Sequence, residues 1–250
     1  MLLKAIKFWR FDPVTVFYKL GLTGDSSKEA SILLSRYVEQ RFNESGLAKL
    51  FQQYGDELDK NEEYRLFLSG HKRADVVNVF DAALAARSVV EFGSGVSTIT
   101  MAFAMKKKGK GKVHAVEADA KWANLVRSAA DKLGLSEFCT VMHSVPRLHR
   151  DGFQVFSLFD SQPNIRPDLI YLDGPSPSSV EGLQQGLTMR GLEFIVAADP
   201  LLYEWSFYVG AKIIVDGRIN NVRFLQKNLK RQYTFRRNFF RNTSTFTLVR

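Results

Sequence analysis

The chain has a single cysteine, Cys139, so no disulfide can form within it and a reducing compartment is expected. No apolar run approaches the roughly 18–20 residues that a membrane-spanning helix requires. The N-terminus does not match a secretory signal peptide, because Lys4, Lys7, Arg10 and Asp12 interrupt its apolar residues. These absences predict a cytoplasmic protein.

Acidic residues are missing from the end of the chain. The stretch from Gly217 to Arg250 has no aspartate or glutamate, and it accounts for the whole net charge of +9 through nine basic residues: Arg218, Arg223, Lys227, Lys230, Arg231, Arg236, Arg237, Arg241 and Arg250. Together with nearby aromatic residues, these could bind RNA through phosphates and stacked bases. Much of the aromatic content alternates at strand spacing, which instead favours packing in a core: Phe224, Tyr233, Phe235, Phe239, Phe240 and Phe246.

The central motif has only two glycines, Gly93 and Gly95, and Thr98 stands where a dinucleotide-binding fingerprint would have its third. The stretch 88–98 predicts a strand, a tight turn and a helix start, with positive φ at Gly93 and close ligand approach at Gly95. A second predicted strand, Lys112–Glu117, also ends in a carboxylate. This acid follows Gly95 at about the 20-residue spacing expected of a ribose-binding acid. A nicotinamide-dependent enzyme of Rossmann type remains an alternative.

At these residues the chain resembles the class I S-adenosylmethionine-dependent methyltransferases, particularly the small-molecule O-methyltransferase branch. Glu91-Phe92-Gly93-Ser94-Gly95 is similar to the first motif of that family, and Ser97 stands where a third glycine is often found. Glu117 matches the ribose-binding acid, and 168–174 resembles the fourth-strand motif. The resemblance extends from about Arg73 to the C-terminus.

The resemblance implies S-adenosylmethionine as the cofactor. Glu91 and the glycine turn would hold its methionine portion, Glu117 its ribose, and Ser144 and Val145 would border its adenine. The full set of implied cofactor-binding residues is Glu91, Phe92, Gly93, Ser94, Gly95, Thr98, Glu117, Ala118, Ser144, Val145 and Asp173.

Strand and helix patterns alternate after residue 70, which predicts a doubly wound, Rossmann-like α/β fold. From the resemblance we expect a seven-stranded mixed sheet of order 3-2-1-4-5-7-6, closed by an antiparallel hairpin at the C-terminus. Residues 1–70 are predicted to be an N-terminal helical extension, and 71–250 the domain that binds S-adenosylmethionine. Residues 147–166 show no regular pattern. Helices are predicted to begin at Ser178, from capping-box spacing with Glu181, and at Asp199, as the N-cap of a helix reaching Tyr208.

Methyl transfer to a hydroxyl requires an acceptor held in line and a group that removes its proton. Asp173 and Asp216, at adjacent strand ends, are the predicted catalytic residues, with Asp173 as the preferred base. Metal-dependent relatives place carboxylates at these two positions and an asparagine after the second, where this chain has Gly217. The departure leaves a divalent metal bound by Asp173 and Asp216 open.

A small, anionic acceptor is predicted, such as a sugar, a sugar phosphate or a glycolipid-like molecule. Arg218 would bind its anionic group, and Gly174 would lie against it. The Asn/Asp-Pro-Pro-aromatic motif of amino-directed methyltransferases is absent from the fourth strand, where Asp173-Gly174-Pro175-Ser176 stands, and this favours an oxygen acceptor. The alternatives are an RNA methyltransferase that uses the basic C-terminal region, and a non-catalytic scaffold that binds S-adenosylmethionine.

Residues 1–20 alternate basic with aromatic or aliphatic side chains. This composition is typical of a segment that lies on an anionic membrane surface, which would make the protein peripheral at a membrane. Asp12-Pro13 interrupts the stretch and favours an arm packed over the catalytic domain. The helices predicted before residue 70 would cover the active site or form the contact of a homodimer.

Overall fold

The structure is a computed structural model that describes residues 25–58, 73–189, 196–238 and 243–250. Several predictions concern residues outside these ranges: the membrane segment 1–20, residues 59–70 of the predicted N-terminal helical extension, and Phe239, Phe240 and Arg241 of the basic region. None of the helices in the described ranges combines the length and apolar character that crossing a membrane requires.

The described residues form nine strands and seven α-helices. The strands are β1 Ser88–Phe92, β2 Lys112–Glu117, β3 Cys139–His143, β4 Pro146–Asp151, β5 Gln154–Phe159, β6 Leu169–Leu172, β7 Lys212–Asp216, β8 Tyr233–Asn238 and β9 Thr243–Leu248. The helices are α1 Asp25–Glu44, α2 Leu47–Leu58, α3 Arg73–Ala85, α4 Val96–Lys108, α5 Ala120–Lys132, α6 Asp199–Tyr203 and α7 Ile219–Asn228. Short 3₁₀ helices span Pro177–Ser179 and Glu204–Ser206.

Seven strands form one mixed sheet in the spatial order β3-β2-β1-β6-β7-β9-β8. Strands β3, β2, β1, β6 and β7 are parallel, whereas β9 is antiparallel to both β7 and β8. Counted within this sheet alone, the order is the predicted 3-2-1-4-5-7-6, so the doubly wound Rossmann-like fold is confirmed.

Both faces of the sheet are covered, which is why its central strands are apolar throughout. Helices α1 to α5 cover one face of the sheet and pack against strand side chains such as Val89, Val113 and Tyr171. The opposite core contains Phe92, Phe159, Tyr203 and Leu225, from β1, β5, α6 and α7. Successive residues of β1 therefore face different layers, as the two-residue period of a strand requires.

The prediction that 147–166 is irregular is wrong for 147–159 and correct for the rest, since 160–166 contain no strand or helix. Strands β4 and β5 form an antiparallel hairpin whose two-residue loop is Gly152-Phe153, with Gly152 at a φ of +55°. Glycine at the first position of such a loop is a hairpin signal, and Leu148 and Ser157 are buried, one on each strand. The hairpin packs on the sheet face, where Phe156 contacts Phe224 of α7.

Two predicted helix starts are corrected. The helix expected from Ser178 is only the 3₁₀ helix Pro177–Ser179, because Glu181 pairs as a β-bridge with Arg147 instead of capping a helix. The N-cap of α6 is Ala198, so Asp199 is the first helical residue, and the helix ends at Tyr203 before a 3₁₀ turn.

Asp199 is buried, and its side chain connects α6 to the hairpin strand β5 through hydrogen bonds. Its Oδ1 accepts hydrogen bonds from the Phe159 amide at 2.9 Å and from the Gln162 side-chain amide at 2.7 Å. Asp199 Oδ2 and Gln162 Oε1 are buried and have no hydrogen-bond partner among the described residues. Burial raises the pKa of Asp199 to about 7, so below this pH its carboxyl holds a proton.

We expect Asp199→Asn to be increasingly stabilising, relative to wild type, as the pH rises from 4 to 8. Unfolded Asp199 ionises near pH 4, whereas the folded group resists ionisation until about pH 7, so wild type loses stability across this window. The asparagine amide stays neutral and keeps an oxygen for Phe159 and Gln162. Urea unfolding at several pH values should show a relative gain of about 4 kcal/mol between pH 4 and pH 8, from about three pKa units. A stability difference that stays constant with pH would contradict this account.

Candidate functional site

A cavity of 540 Å³ opens at the carboxyl ends of β1, β2 and β6. Ligands of open α/β sheets bind at this edge, outside the carboxyl ends of the strands. Of the predicted site residues, six line the cavity: Gly93, Ser94, Glu117, Asp173, Gly174 and Arg218. The other lining residues are Asp119, Lys121, Trp122, Leu125, Pro175, Ser176, Ser178 and Ser179.

Two backbone turns touch beside this cavity, one after β1 and one after β6. Gly93 has a φ of +89°, and a Cβ at this residue would lie 2.6 Å from the Gly174 nitrogen. A Cβ at Gly174 would lie 2.7 Å from the Gly93 Cα. The Phe92 carbonyl accepts hydrogen bonds from the amides of Asp173 and Gly174, at 3.0 and 2.6 Å. Only glycine fits at either position, and Asp173 is thereby held at the cavity wall.

Glu91 lies beneath the glycine turn and is fully buried. The Ser97 hydroxyl donates to its Oε1, and the Thr98 hydroxyl donates to its Oε2 at 2.5 Å. Thr98 Oγ1 also accepts from the Gly95 amide at 2.9 Å. Burial raises the pKa of Glu91 to about 8. Glu91 and Thr98 therefore hold the start of α4 in place, and neither side chain is among those that line the cavity.

Glu117 and Trp122 hold Ser94 from two sides. Glu117 Oε2 accepts from the Ser94 amide at 2.7 Å and from its hydroxyl at 2.9 Å, while Oε1 accepts from the Asp119 amide at 3.0 Å. The Trp122 indole donates to the Ser94 carbonyl at 2.7 Å. Both side chains border the cavity, so the second residue of the Gly-x-Gly turn is fixed against β2 and α5.

The Arg218 guanidinium, which was predicted to bind an anionic acceptor, makes hydrogen bonds to the turn after β6. Its guanidinium donates to the Pro175 carbonyl at 3.0 Å and to the Asp173 carbonyl. The Gly174–Pro175 peptide bond within this turn is cis. Arg218 borders the cavity, and its contacts connect the end of β7 to the end of β6.

Asp173 directly follows β6 and Asp216 is the last residue of β7, and the two strands are paired in register through Leu172 and Val215. Asp173 lines the cavity, whereas Asp216 is not among the lining residues and is half-buried. Burial and the nearby Asp173 carboxylate raise the pKa of Asp216 to about 7, while Arg218 and a hydrogen bond from Tyr171 lower it. The two predicted catalytic carboxylates therefore have different exposure to a bound molecule.

The remaining predicted cofactor residues are not among those that line the cavity. The Phe92 ring is in the core, stacked on Phe159. Ser144 donates its amide to the Glu117 carbonyl at 2.9 Å, and its hydroxyl accepts from the Ser161 amide at 2.8 Å. Val145 is half-buried beside Ser144, and Ala118 packs against the same core as Phe92.

Sequence reasoning missed two parts of the cavity wall. Trp122 lies in the first turn of α5, where Asp119 accepts from its amide, and an aromatic residue just after a strand-end acid could have indicated it. Ser176, Ser178 and Ser179 form a hydroxyl cluster, with Oγ–Oγ distances from Ser176 of 3.1 and 2.7 Å. The incorrect helix prediction at Ser178 concealed that these serines face the cavity.

The predicted metal pair lacks the further ligands that a divalent cation requires. Within the described ranges, no three side chains of His, Cys, Asp or Glu come together in a group that could hold a metal ion. Gly217 stands where a third ligand would be, and Arg218 places a cation nearby. These residues do not fit a metal, and we derive no chemistry from one.

No family model and no curated protein sequence matches the chain. Among solved structures, the S-adenosylhomocysteine-bound methyltransferase of Podospora anserina is similar with a TM-score of 0.54 and 11% identity, covering 92% of this chain and 98% of that chain. An O-methyltransferase from Bacillus cereus in complex with S-adenosylhomocysteine gives 0.49 at 15% identity, covering 80% and 91%. The similarity to the Podospora protein, together with the strand order, shows that this chain has the class I S-adenosylmethionine-dependent methyltransferase fold.

We expect Gly174→Ala to destabilise the protein by about 1–3 kcal/mol, because its Cβ would overlap the Gly93 backbone. Gly95→Ala is the matched control. Gly95 has an extended φ of 174°, and no atom lies within 4 Å of a Cβ built there. Thermal unfolding of both variants measures the difference. Equal melting temperatures would show that the two turns can separate without cost.

Proposed function

We propose that the protein is an S-adenosylmethionine-dependent methyltransferase that methylates a hydroxyl of a small, anionic acceptor. The observation that carries the proposal is the cavity wall itself, where a glycine turn, the acid Glu117 and the carboxylate Asp173 meet at the ends of three parallel strands.

The residues present fit S-adenosylmethionine. Space is open above Gly95, where a Cβ would meet no atom within 4 Å, so a ligand can lie against this backbone. The Glu117 carboxylate reaches the cavity and can accept hydrogen bonds from ribose hydroxyls. The Trp122 side chain offers an apolar surface beside it. When bound, the cofactor supplies a methyl group on a positively charged sulfur.

The carboxylates on the cavity wall suit a cationic ligand. Glu117, Asp119 and Asp173 border the cavity, against Lys121 and Arg218. Arg218 is already hydrogen-bonded to two carbonyls, so its charge partly serves the turn. A negative wall stabilises the positive sulfonium, whereas it would repel the pyrophosphate of a nicotinamide cofactor.

Asp173 is the proposed general base. It lines the cavity, and the two-turn contact fixes its backbone through the Phe92 carbonyl at 3.0 Å. It would accept the proton of the acceptor hydroxyl as the methyl group passes from the cofactor sulfur to the acceptor oxygen, with S-adenosylhomocysteine as the leaving group. Asp216 acts behind it, since its ionisation adds negative charge that makes Asp173 more basic.

Lys121, the serine cluster and the remaining N–H groups of Arg218 would recognise the acceptor's anionic group. Hydroxyl and ammonium donors bind phosphate or carboxylate oxygens well. The RNA alternative loses support because three of the four described aromatic residues invoked for stacking are packed at least in part: Phe246 is buried and Phe224 and Tyr233 are half-buried, whereas Phe235 is exposed.

The cofactor is tested by calorimetric titration of S-adenosylmethionine, S-adenosylhomocysteine and NAD into wild type and Glu117→Gln. We expect the first two to bind wild type and to bind the variant about 10–100-fold more weakly, because a carboxylate–hydroxyl hydrogen bond is lost. Glu137→Gln, an exposed acid outside the cavity, is the control. Gly95→Ala should also weaken binding while leaving stability intact.

Binding of NAD alone would overturn the proposal in favour of a nicotinamide-dependent enzyme. Binding of S-adenosylmethionine without turnover on any sugar, sugar phosphate or related acceptor would favour a non-catalytic scaffold.

We expect Asp173→Asn to lower kcat by about 10²–10⁴-fold while S-adenosylmethionine still binds. In wild type, kcat should rise through about pH 7, the pKa of Asp216, because the ionised group increases the basicity of Asp173. In Asp216→Asn this step should flatten. Turnover against pH for the three proteins, with an acceptor found by screening, is the measurement. A step that persists in Asp216→Asn would assign it to another group.

A further inference from the structure

Four large apolar side chains are exposed within a short stretch that begins in α6 and continues just after it. They are Leu202 at 62% exposure, Trp205 at 73%, Tyr208 at 62% and Val209 at 67%. We call these four residues the amino-edge patch. Tyr203 and Phe207, within the same stretch, are buried in the core and so fix the backbone that presents the patch.

The patch lies at the edge of the sheet opposite the cavity. The Gly210 amide donates to the Leu248 carbonyl at 2.8 Å, and the next strand, β7, begins at Lys212. The Lys212 amide donates to the Asp168 carbonyl at 3.0 Å, immediately before β6. The patch is therefore near the amino ends of β6 and β7, whereas Asp173 and Asp216 lie at the carboxyl ends of these strands.

Basic residues surround the patch. The Arg166 guanidinium carbon lies 3.9 Å from the centre of the Tyr208 ring, and its Nε donates to the Ser206 carbonyl. Arg231 donates to the carbonyls of Glu204 and Phe207, at 3.2 and 2.9 Å. Lys230 and Arg250 are exposed nearby, since the Gln232 amide donates to the Arg250 carbonyl at 3.0 Å.

No exposed carboxylate of this part of the chain balances these cations. The acidic residues from Val196 to Arg250 are Asp199, Glu204 and Asp216. Asp199 and Glu204 are buried, and Glu204 Oε1 accepts from the amides of Lys230 and Arg231 at 2.7 and 2.8 Å. Asp216 is at the far edge of the sheet. Within 196–250, the exposed charges beside the patch are thus basic.

We propose that the amino-edge patch docks the protein on a membrane surface that contains anionic phospholipid. Tryptophan and tyrosine are favoured where hydrocarbon meets headgroups, and leucine and valine partition into the same layer. Arg166, Lys230, Arg231 and Arg250 would face lipid phosphates, each adding electrostatic attraction. A second copy fits less well, because a two-fold symmetric contact would bring these like charges together.

Docking by this edge bears on the acceptor, a step that rests on the proposed function. Strands of four to six residues at about 3.3 Å per residue separate the patch from the cavity. The cavity then opens away from the bilayer, toward water. A soluble anionic acceptor reaches it, whereas a headgroup in the same membrane does not.

The test is flotation of the full chain with vesicles of phosphatidylcholine alone and of phosphatidylcholine mixed with phosphatidylglycerol. We expect binding to the anionic vesicles only, weakened by added salt because the charges are screened. The double variant Trp205→Ser/Tyr208→Ser should bind the anionic vesicles at least about tenfold more weakly, since it removes the two aromatic side chains that would insert into the membrane interface. The control is Ile32→Ser, which removes an exposed apolar side chain from α1, on the other face of the sheet.

A failure of wild type to bind anionic vesicles overturns the proposal. Binding that is unchanged in the double variant also overturns it, and assigns the contact to another surface. Light scattering adds a third outcome: a dimer that the double variant abolishes would make a second copy the partner of the patch. Calorimetry with S-adenosylmethionine on the double variant keeps this question separate from the proposed activity, because the cavity is unaltered. A circular dichroism melt that matches wild type confirms that the double variant is folded.

Discussion

The contact between the turns at Gly93 and Gly174 is the constraint on which the rest of the site depends. Parallel pairing of β1 with β6 places these turns side by side, and the missing side chains let the backbones meet. The meeting point turns the Asp173 and Gly174 amides toward the Phe92 carbonyl and leaves Asp173 beside the cavity. A larger residue in either turn would move the proposed base relative to Glu117, although neither acid is touched.

Burial divides the acidic residues around this contact into groups with different charge. Glu91 is fully buried with a pKa of about 8, so at neutral pH it holds a proton and supports Ser97 and Thr98 without adding negative charge. Asp216, at about 7, is near its midpoint. Glu117 instead accepts three hydrogen bonds at the cavity surface. Acidic side chains thus serve as a buried support, as a group that titrates near neutral pH and as a carboxylate that lines the cavity.

The alternating strand and helix patterns predicted the doubly wound sheet, and the resemblance to the methyltransferase family supplied its strand order. The patterns also placed Glu117 and Asp173 at strand ends, where both line the cavity, whereas Asp216 at the end of β7 does not. The prediction was wrong at β4 and β5, where the Gly152-Phe153 loop was overlooked, and at Ser178, where pairing of Glu181 with the hairpin outweighed local capping. Such outcomes depend on contacts between distant segments, which no local pattern records.

Arg218 shows why a residue type at the correct strand end does not by itself define a role. An arginine two positions after a strand-end acid predicts an anion-binding group, yet two carbonyls of the Asp173–Pro175 turn take its donors. Leaving those two carbonyls unpaired would cost more free energy than a hydrogen bond to a ligand would gain. The guanidinium is therefore expected to stay bound to the turn. Under the proposed function, acceptor selection would then fall mainly to Lys121 and to Ser176, Ser178 and Ser179, which line the cavity from α5 and from the turn that Arg218 contacts. The geometry of these donors, set by the turn, would decide which anionic hydroxyl compound is methylated.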